Sequence, residues 1–216
     1  MTLSDKNKYL FIAVPKTGSS SINRFLVDND KSSIKNTLIA ADGTSIHTDT
    51  HINYKETVAV IGSRIDDYAT FAFLRDPYEK LFSYYRYSIR PKEKWVKYGM
   101  KAKIVRNVSS LIGFKMWALI FPFKPSVNFI LDEQGNIGVK YLGRTEHLQS
   151  DFIDICKLEN FDFLELTGTM KWMRATKPMD LSHHLSAPWF KKLIDRRLKK
   201  DLDVYNKIRE KMYIRS

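Results

Sequence analysis

The sequence predicts an α/β fold, a parallel sheet flanked by helices, in a single domain over residues 1–216. The first observation is a pair of short apolar runs, Tyr9–Val14 and Ala69–Leu74, which are typical of strands buried on both faces. The second is that each run leads through a short loop into a helical pattern. The third is length, because 216 residues of which 44% are hydrophobic can bury the core of one such domain.

The loop after the first run has the composition of an anion-binding site. Backbone N–H groups between Thr17 and Ser21 face the positive end of the predicted helix dipole. Lys16 adds a cation, the hydroxyl groups add donors, and Gly18 permits a positive φ and a close approach of the backbone to an anion. The predicted ligands of a phosphate or sulfate group are Lys16, Thr17, Gly18, Ser19, Ser20 and Ser21.

This loop is P-loop-like, but it differs from the Walker A loop in the order of its residues. In G-x-x-x-x-G-K-[ST] the lysine follows the second glycine, whereas here Lys16 precedes Gly18 and no glycine lies in Met1–Thr17. A nucleoside triphosphatase is therefore disfavoured. The order V-P-K-T-G-S-S-S instead resembles the 5′-phosphosulfate loop of sulfotransferases that use 3′-phosphoadenosine 5′-phosphosulfate (PAPS).

Residues 28–50 are polar and mixed, and we expect a short helix followed by a loop there. The pattern H-x-x-Y that begins at His51 is similar to one that heparan sulfate 2-O-sulfotransferases and similar bacterial proteins carry before the strand of their second motif. The resemblance implies that His51 is the general base, and a neutral imidazole suits the removal of a hydroxyl proton. Three alternatives stay open: His47 as the base, Glu56 as a carboxylate base, or His51 acting only as a helix cap.

The second run, Ala69–Leu74, leads into another motif at a strand-to-helix junction. Asp76 suits an N-cap and Pro77 suits the first helical position. The pattern R-D-P-x-x-K-L-x-S-x-Y resembles the 3′-phosphate motif of the same sulfotransferases, which implies that Arg75 and Ser83 hold the 3′-phosphate of the nucleotide. The alternative for Arg75 is a surface ion pair with a neighbouring acid, Asp76 or Glu79.

Residues 90–124 are basic and rich in aromatic side chains, with nine Lys or Arg and a single acid, Glu93. We predict one or two helices here. Three interpretations are consistent with this pattern: a lid over the acceptor, a solvated basic face with its aromatic rings in the core, and a basic amphipathic contact with a membrane surface.

Alternating residues in Val127–Leu142 around a Gly-Asn turn predict a β-hairpin. The G-R-T-E order at residues 143–146, between a strand and a helix, also resembles the family. The helix that follows runs through Leu158, and Cys156 on its apolar face reads as a core residue rather than a nucleophile.

Family members place a late basic loop over the nucleotide phosphates, and residues 167–184 are the matching stretch. Its candidate ligands, among which the sequence does not choose, are Lys171, Arg174 and Lys177. A long amphipathic helix over Ala187–Met212 closes the chain, with an inner stripe formed by Leu193, Ile194, Leu198, Leu202, Tyr205 and Ile208.

The net charge of +12 favours an anionic partner. No known nucleic-acid module is present, so no nucleic acid is expected as a partner. The polar start Met1–Lys8 and the lone Cys156 predict a cytoplasmic protein with no transmembrane segment and no internal disulfide. We expect no metal, because His183 and His184 have no partner set at ligand spacing.

Together these features predict a PAPS-dependent O-sulfotransferase. Lys16 and His51 are its expected catalytic residues, and its expected acceptor is a hydroxyl group, most consistent with a carbohydrate. The alternatives are a sulfotransferase of a small hydroxylated metabolite, a P-loop small-molecule kinase, and a non-catalytic polyanion-binding protein.

Overall fold

The computed structural model describes residues 1–90, 99–161, 163 and 181–215. Its centre is a six-stranded sheet in the order β3-β1-β2-β6-β7-β8, and a two-stranded sheet pairs β4 with β5. The strands are β1 (Thr2–Ser4), β2 (Tyr9–Phe11), β3 (Ser33–Lys35), β4 (Thr37–Ile39), β5 (Ser45–His47), β6 (Ala69–Leu74), β7 (Tyr141–Arg144) and β8 (Tyr213–Ile214).

The three central strands are parallel, as the two apolar runs predict. β2 pairs with β6 from Tyr9 opposite Ala69, and β6 pairs with β7 from Phe71 opposite Tyr141. The sheet as a whole is mixed, because β1 and β3 on one side and β8 on the other are antiparallel to their neighbours. Parallel order brings the carboxyl ends of β2, β6 and β7 to one edge, where α/β sheets bind ligands.

Helices cover both faces of the sheet. Their bounds are α1 (Ser19–Asn29), α2 (Tyr54–Ile61), α3 (Pro77–Ser88), α4 (Gly99–Ile120), α5 (Leu148–Leu158), α6 (Ser182–Leu185) and α7 (Pro188–Ile208). Helix α4 has a break at Gly113, whose φ of 67° and ψ of 172° are not helical.

Alternation along the strands divides the core into two layers. On β6, Phe71 and Phe73 join the cluster under α1 and α5, which contains Phe25 and Phe152. The intervening Ala72 and the last residue of β6 belong to the opposite cluster, with side chains of α2 and α7. Burial on both faces explains why β2 and β6 are continuous apolar runs.

A third apolar cluster joins α3, α4 and α7. Phe82 of α3, Phe114 and Trp117 of α4, and Phe190 of α7 are all buried there. Part of the aromatic-rich segment is therefore core, while Leu111 of α4 remains 86% exposed. Residues 91–98 of this segment lie outside the described residues, and the acceptor lid stays a prediction.

Three local predictions are wrong. Residues 28–50 form the end of α1 and the strands β3, β4 and β5 rather than a second helix and a loop. The expected hairpin over Val127–Leu142 is a 3-10 helix (Ser126–Phe129) with a single β-bridge from Leu131 to Ile137, because its last strand pairs with β6 instead. On α7, Leu193 is 42% exposed and does not belong to the buried stripe.

Two further features concern the cysteine on α5 and the apolar character of the helices. Cys156 is buried on α5, and burial raises the pKa of its thiol to about 12, as suits a core residue. Across the part of the chain that the structure describes, no helix has the length and apolar character needed to cross a membrane.

Candidate active site

The candidate site lies where β2, β6 and β7 end. The loop after β2 leads into α1, the residues after β6 lead into α3, and the turn after β7 leads into α5. The structure thus brings both predicted phosphate motifs to the same edge of the sheet.

The loop between β2 and α1 has two residues in the left-handed region of backbone conformation. Gly18, the N-cap of α1, has a φ of 75°, and Lys16 has a φ of 68°, which is unfavourable for a residue with a side chain. Gly18 has no side chain to cap the helix, and the first turn of α1 contains no acidic residue. Backbone strain of this kind clusters at binding sites, and an uncapped helix start favours an anion.

Two of the predicted anion ligands also stabilise the loop itself. The hydroxyl group of Thr17 is buried and donates to the carbonyl oxygen of Val14 at 2.9 Å. The N–H of Ser21 donates to the carbonyl oxygen of Gly18 at 2.9 Å. Contrary to the expectation that every hydroxyl faces the anion, Thr17 uses its side chain to fold the loop, and its backbone N–H is the group left as a candidate ligand.

Lys16 points to the C-terminal part of α3. Its ammonium group lies 4.7 Å from the centre of the Tyr87 ring, and the guanidinium group of Arg90 lies 4.6 Å from the same ring. Cation–π contacts of this kind contribute about 0.5–1 kcal/mol at exposed sites. One ring therefore orients two cations beside the loop, and sequence reasoning named only Lys16 of these three residues as a site residue.

The junction between β6 and α3 is as predicted, with Asp76 at the N-cap and Pro77 at the first helical position. Arg75 is mostly buried, and its Nη2 and Nε donate to Oε2 of Glu79 at 2.8 and 3.1 Å. The ion pair considered as the alternative for Arg75 is thus present, and it uses two of the five guanidinium N–H groups. Ser83 lies buried on α3.

His51 lies beside the loop after β2, although 38 residues separate it from its partner there. Its Nδ1 is 2.6 Å from the carbonyl oxygen of Ala13. A carbonyl oxygen only accepts, so Nδ1 carries the hydrogen and the lone pair of the neutral ring is on Nε2. The partial burial of the ring lowers the pKa of His51, although the carbonyl of Ala13 opposes this effect.

The two alternative bases occupy other structural positions. His47 is an exposed residue at the end of β5, opposite Thr37. Glu56 is the third residue of α2, where its carboxylate accepts the N–H of Asn53 at 3.1 Å in a capping box. That contact gives Glu56 a local structural role.

The predicted ligands Lys171, Arg174 and Lys177 lie outside the described residues. Elsewhere the site contains two residues of the G-R-T-E stretch to which sequence reasoning gave no role in the site: Thr145 bonds to the loop after β2 and to the end of β6, and Glu146 bonds to the start of α3. Their place directly after a parallel strand is the signal that marks them. Among the described residues, no group of three or more His, Cys, Asp or Glu could hold a metal ion.

Comparison with known proteins gives one match. A family model described as "Sulfotransferase family" matches residues 1–118, which is more than half of the chain and includes both phosphate motifs and His51. No curated protein and no solved structure matches.

Proposed function

Because the chain belongs to the sulfotransferase family, we propose that it transfers a sulfuryl group from PAPS to a hydroxyl group of a carbohydrate. Sulfuryl transfer and the general use of PAPS follow from the family. The observation that carries the proposed site is the bond between His51 and Ala13, which holds an imidazole beside the strained loop after β2. The charge of +12 and the H-x-x-Y pattern support a carbohydrate acceptor.

In this proposal, residues 16–21 bind the 5′-phosphosulfate. The left-handed Gly18, the uncapped start of α1 and the cation of Lys16 fit a group with several anionic oxygens. Arg75 and Ser83, at the start of α3 and two turns along it, hold the 3′-phosphate. The parallel pairing of β7, beyond residue 118, with β6 supports the assignment of residues 1–216 to one domain.

In the proposed reaction, Nε2 of His51 accepts the proton of the acceptor hydroxyl as its oxygen forms a bond to sulfur. Lys16 stabilises the charge that grows on the bridging oxygen as the old S–O bond breaks. The leaving group is 3′,5′-bisphosphoadenosine (PAP). Positioning and charge stabilisation by residues such as these are the main contributions of a protein to transfers of this type.

A thermal-shift panel tests the donor nucleotide. We expect PAP to raise Tm more than AMP, ATP or ATP with Mg²⁺, because only PAP has phosphates for both motifs. A larger shift with ATP and Mg²⁺ would favour the kinase alternative.

Sulfate transfer to unsulfated and N-sulfated heparan-type polysaccharides, compared with transfer to small phenols, tests the acceptor class.

The substitution Arg75→Ala tests the 3′-phosphate site. We expect it to weaken the binding of PAP by about 1.5–3 kcal/mol, the scale for hydrogen bonds to a charged group. The affinity for AMP, which lacks the 3′-phosphate, should change much less. Isothermal titration calorimetry with both nucleotides gives the comparison.

Glu79→Gln is the matched control, because it weakens the ion pair that holds Arg75 and keeps the guanidinium group. We expect this variant to bind PAP within a few fold of the wild type. Equal losses of PAP and AMP affinity in Arg75→Ala would remove Arg75 from the 3′-phosphate site.

A further inference from the structure

The turn between β7 and α5 contacts both phosphate motifs. Oγ1 of Thr145 lies 3.0 Å from the carbonyl oxygen of Leu74, the last residue of β6, and 3.2 Å from the carbonyl oxygen of Thr17. A hydroxyl group carries one hydrogen, so the two carbonyl groups share it in a three-centre bond. One side chain therefore ties the end of β6 to the loop after β2.

Glu146, the next residue, reaches the start of α3. Its Oε1 accepts the backbone N–H of Asp76 at 2.8 Å, and its Oε2 accepts the hydroxyl of Tyr205 on α7 at 2.9 Å. Burial raises the pKa of Tyr205, so this phenol stays protonated and donates. Because Asp76 directly follows Arg75, the carboxylate of Glu146 fixes the backbone that carries the guanidinium group.

The turn is itself held firmly. Nε and Nη2 of Arg144 donate to the two carboxylate oxygens of Asp151 on α5, at 2.9 and 2.7 Å. Asp151 is buried, and its Oδ2 also accepts the N–H of Arg144 at 2.8 Å. A bidentate Arg–carboxylate pair of this kind has one preferred geometry, so the residues after Arg144 extend from a fixed base.

We propose that Thr145 and Glu146 are positioning residues that set the distance between the two phosphate sites of the nucleotide. The proposal rests on the proposed function, because only a ligand with both a 5′- and a 3′-phosphate spans that distance. The ribose fixes the separation of its phosphates, so such a ligand binds both sites at once only when the protein holds them at the matching separation. A ligand gains affinity from joining two phosphate contacts only when the protein lets it make both contacts at the same time.

The experiment measures PAP and AMP binding by calorimetry in three proteins: the wild type, Thr145→Val and Thr145→Ser. Valine keeps the shape of threonine and removes the hydroxyl group, whereas serine keeps the hydroxyl group. We expect Thr145→Val to weaken PAP binding by about five- to tenfold, the effect of one net hydrogen bond. AMP binding should stay within about twofold, and Thr145→Ser should restore the ratio of the two affinities.

Each outcome has a separate meaning. If PAP and AMP weaken equally in Thr145→Val, or neither changes, Thr145 does not set the distance and the inference fails. If the wild type does not bind PAP, it is the proposed function that fails. Should Thr145→Val not fold, Glu146→Ala carries the test, because it alters an exposed residue and frees the N–H of Asp76. It should lower the PAP to AMP affinity ratio, and an unchanged ratio would overturn the inference.

Discussion

Replacing His51 with alanine is expected to lower kcat by a factor of about 10²–10⁴, the usual contribution of a positioned base. PAP affinity should remain nearly unchanged, because the role proposed for the imidazole is to accept the proton of the acceptor. Sulfate transfer under saturating PAPS gives kcat, and calorimetry with PAP gives the affinity. His47→Ala, at the end of β5, is expected to have a much smaller effect on both quantities.

His51→Asn separates the base from its bond to the loop. An asparagine amide can still donate to the carbonyl oxygen of Ala13, but it cannot accept a proton at neutral pH. We therefore expect this variant to be as slow as His51→Ala. Wild-type kcat in folded His51→Asn would show that the imidazole only supports the loop, and the base would then have to be sought at His47 or Glu56.

The rate should also depend on pH in a direction that the structure sets. Only the neutral imidazole accepts a proton, so kcat/KM for PAPS, which reports groups of the free enzyme, should rise with pH through the pKa of His51. Partial burial lowers that pKa below its ordinary value of about 6.5. The rise should therefore be centred below pH 6.5. A midpoint above 7 would contradict the assignment.

Local patterns were sufficient to predict the centre of the fold. The apolar runs of β2 and β6 predict parallel strands, because both faces of these strands are buried. Asp76 and Pro77 mark the start of α3 through short-range hydrogen bonding and a fixed φ. β1, in contrast, is buried although two of its three residues are Thr2 and Ser4. Its position follows from pairing with β2 and β3, which no pattern within those three residues contains.

The candidate site divides in the same way. Lys16 and Gly18 could be predicted from the sequence because the backbone strain and the helix start depend on neighbouring residues. His51 could be predicted because the residues around it resemble a family pattern. The bond from the Thr17 hydroxyl back to Val14 was missed because a short hydroxyl side chain competes for nearby carbonyl groups as readily as for a ligand. The contact between Thr145 and Thr17 joins residues 128 positions apart, so it depends on the order of the strands in the sheet.

The second large effect is expected on stability, at the buried ion pair between α3 and α7. Nζ of Lys80 lies 3.2 Å from Oδ2 of Asp201, and both residues are almost fully buried. Asp201 also accepts the backbone N–H groups of Ser126 and Val127, at 2.9 and 3.1 Å. Burial lowers the pKa of Lys80, while the carboxylate of Asp201 opposes that effect. This carboxylate therefore holds α3, α7 and the start of the 3-10 helix together.

Asp201→Ala is expected to lower the free energy of unfolding by about 3–5 kcal/mol, because it leaves the Lys80 ammonium buried without a counter-charge. The two backbone N–H groups lose their acceptor as well, which adds to the cost. Lys80→Met should be less damaging, since it keeps an apolar stem of similar length and Asp201 keeps two donors. Urea unfolding gives both values from the shift of the midpoint at constant m.

Arg24→Ala is the comparison for an exposed pair, because Arg24 bonds to Asp28 at 2.6 Å on the surface of α1. Pairs of this kind contribute about 0.3–0.5 kcal/mol, so this variant should unfold close to the wild type. Both substitutions remove one partner of an ion pair, so the contrast compares a buried pair whose carboxylate also binds two backbone N–H groups with an exposed pair. A loss below about 1 kcal/mol in Asp201→Ala would mean that water or another acceptor compensates the charge of Lys80, and the carboxylate would no longer account for the position of α3.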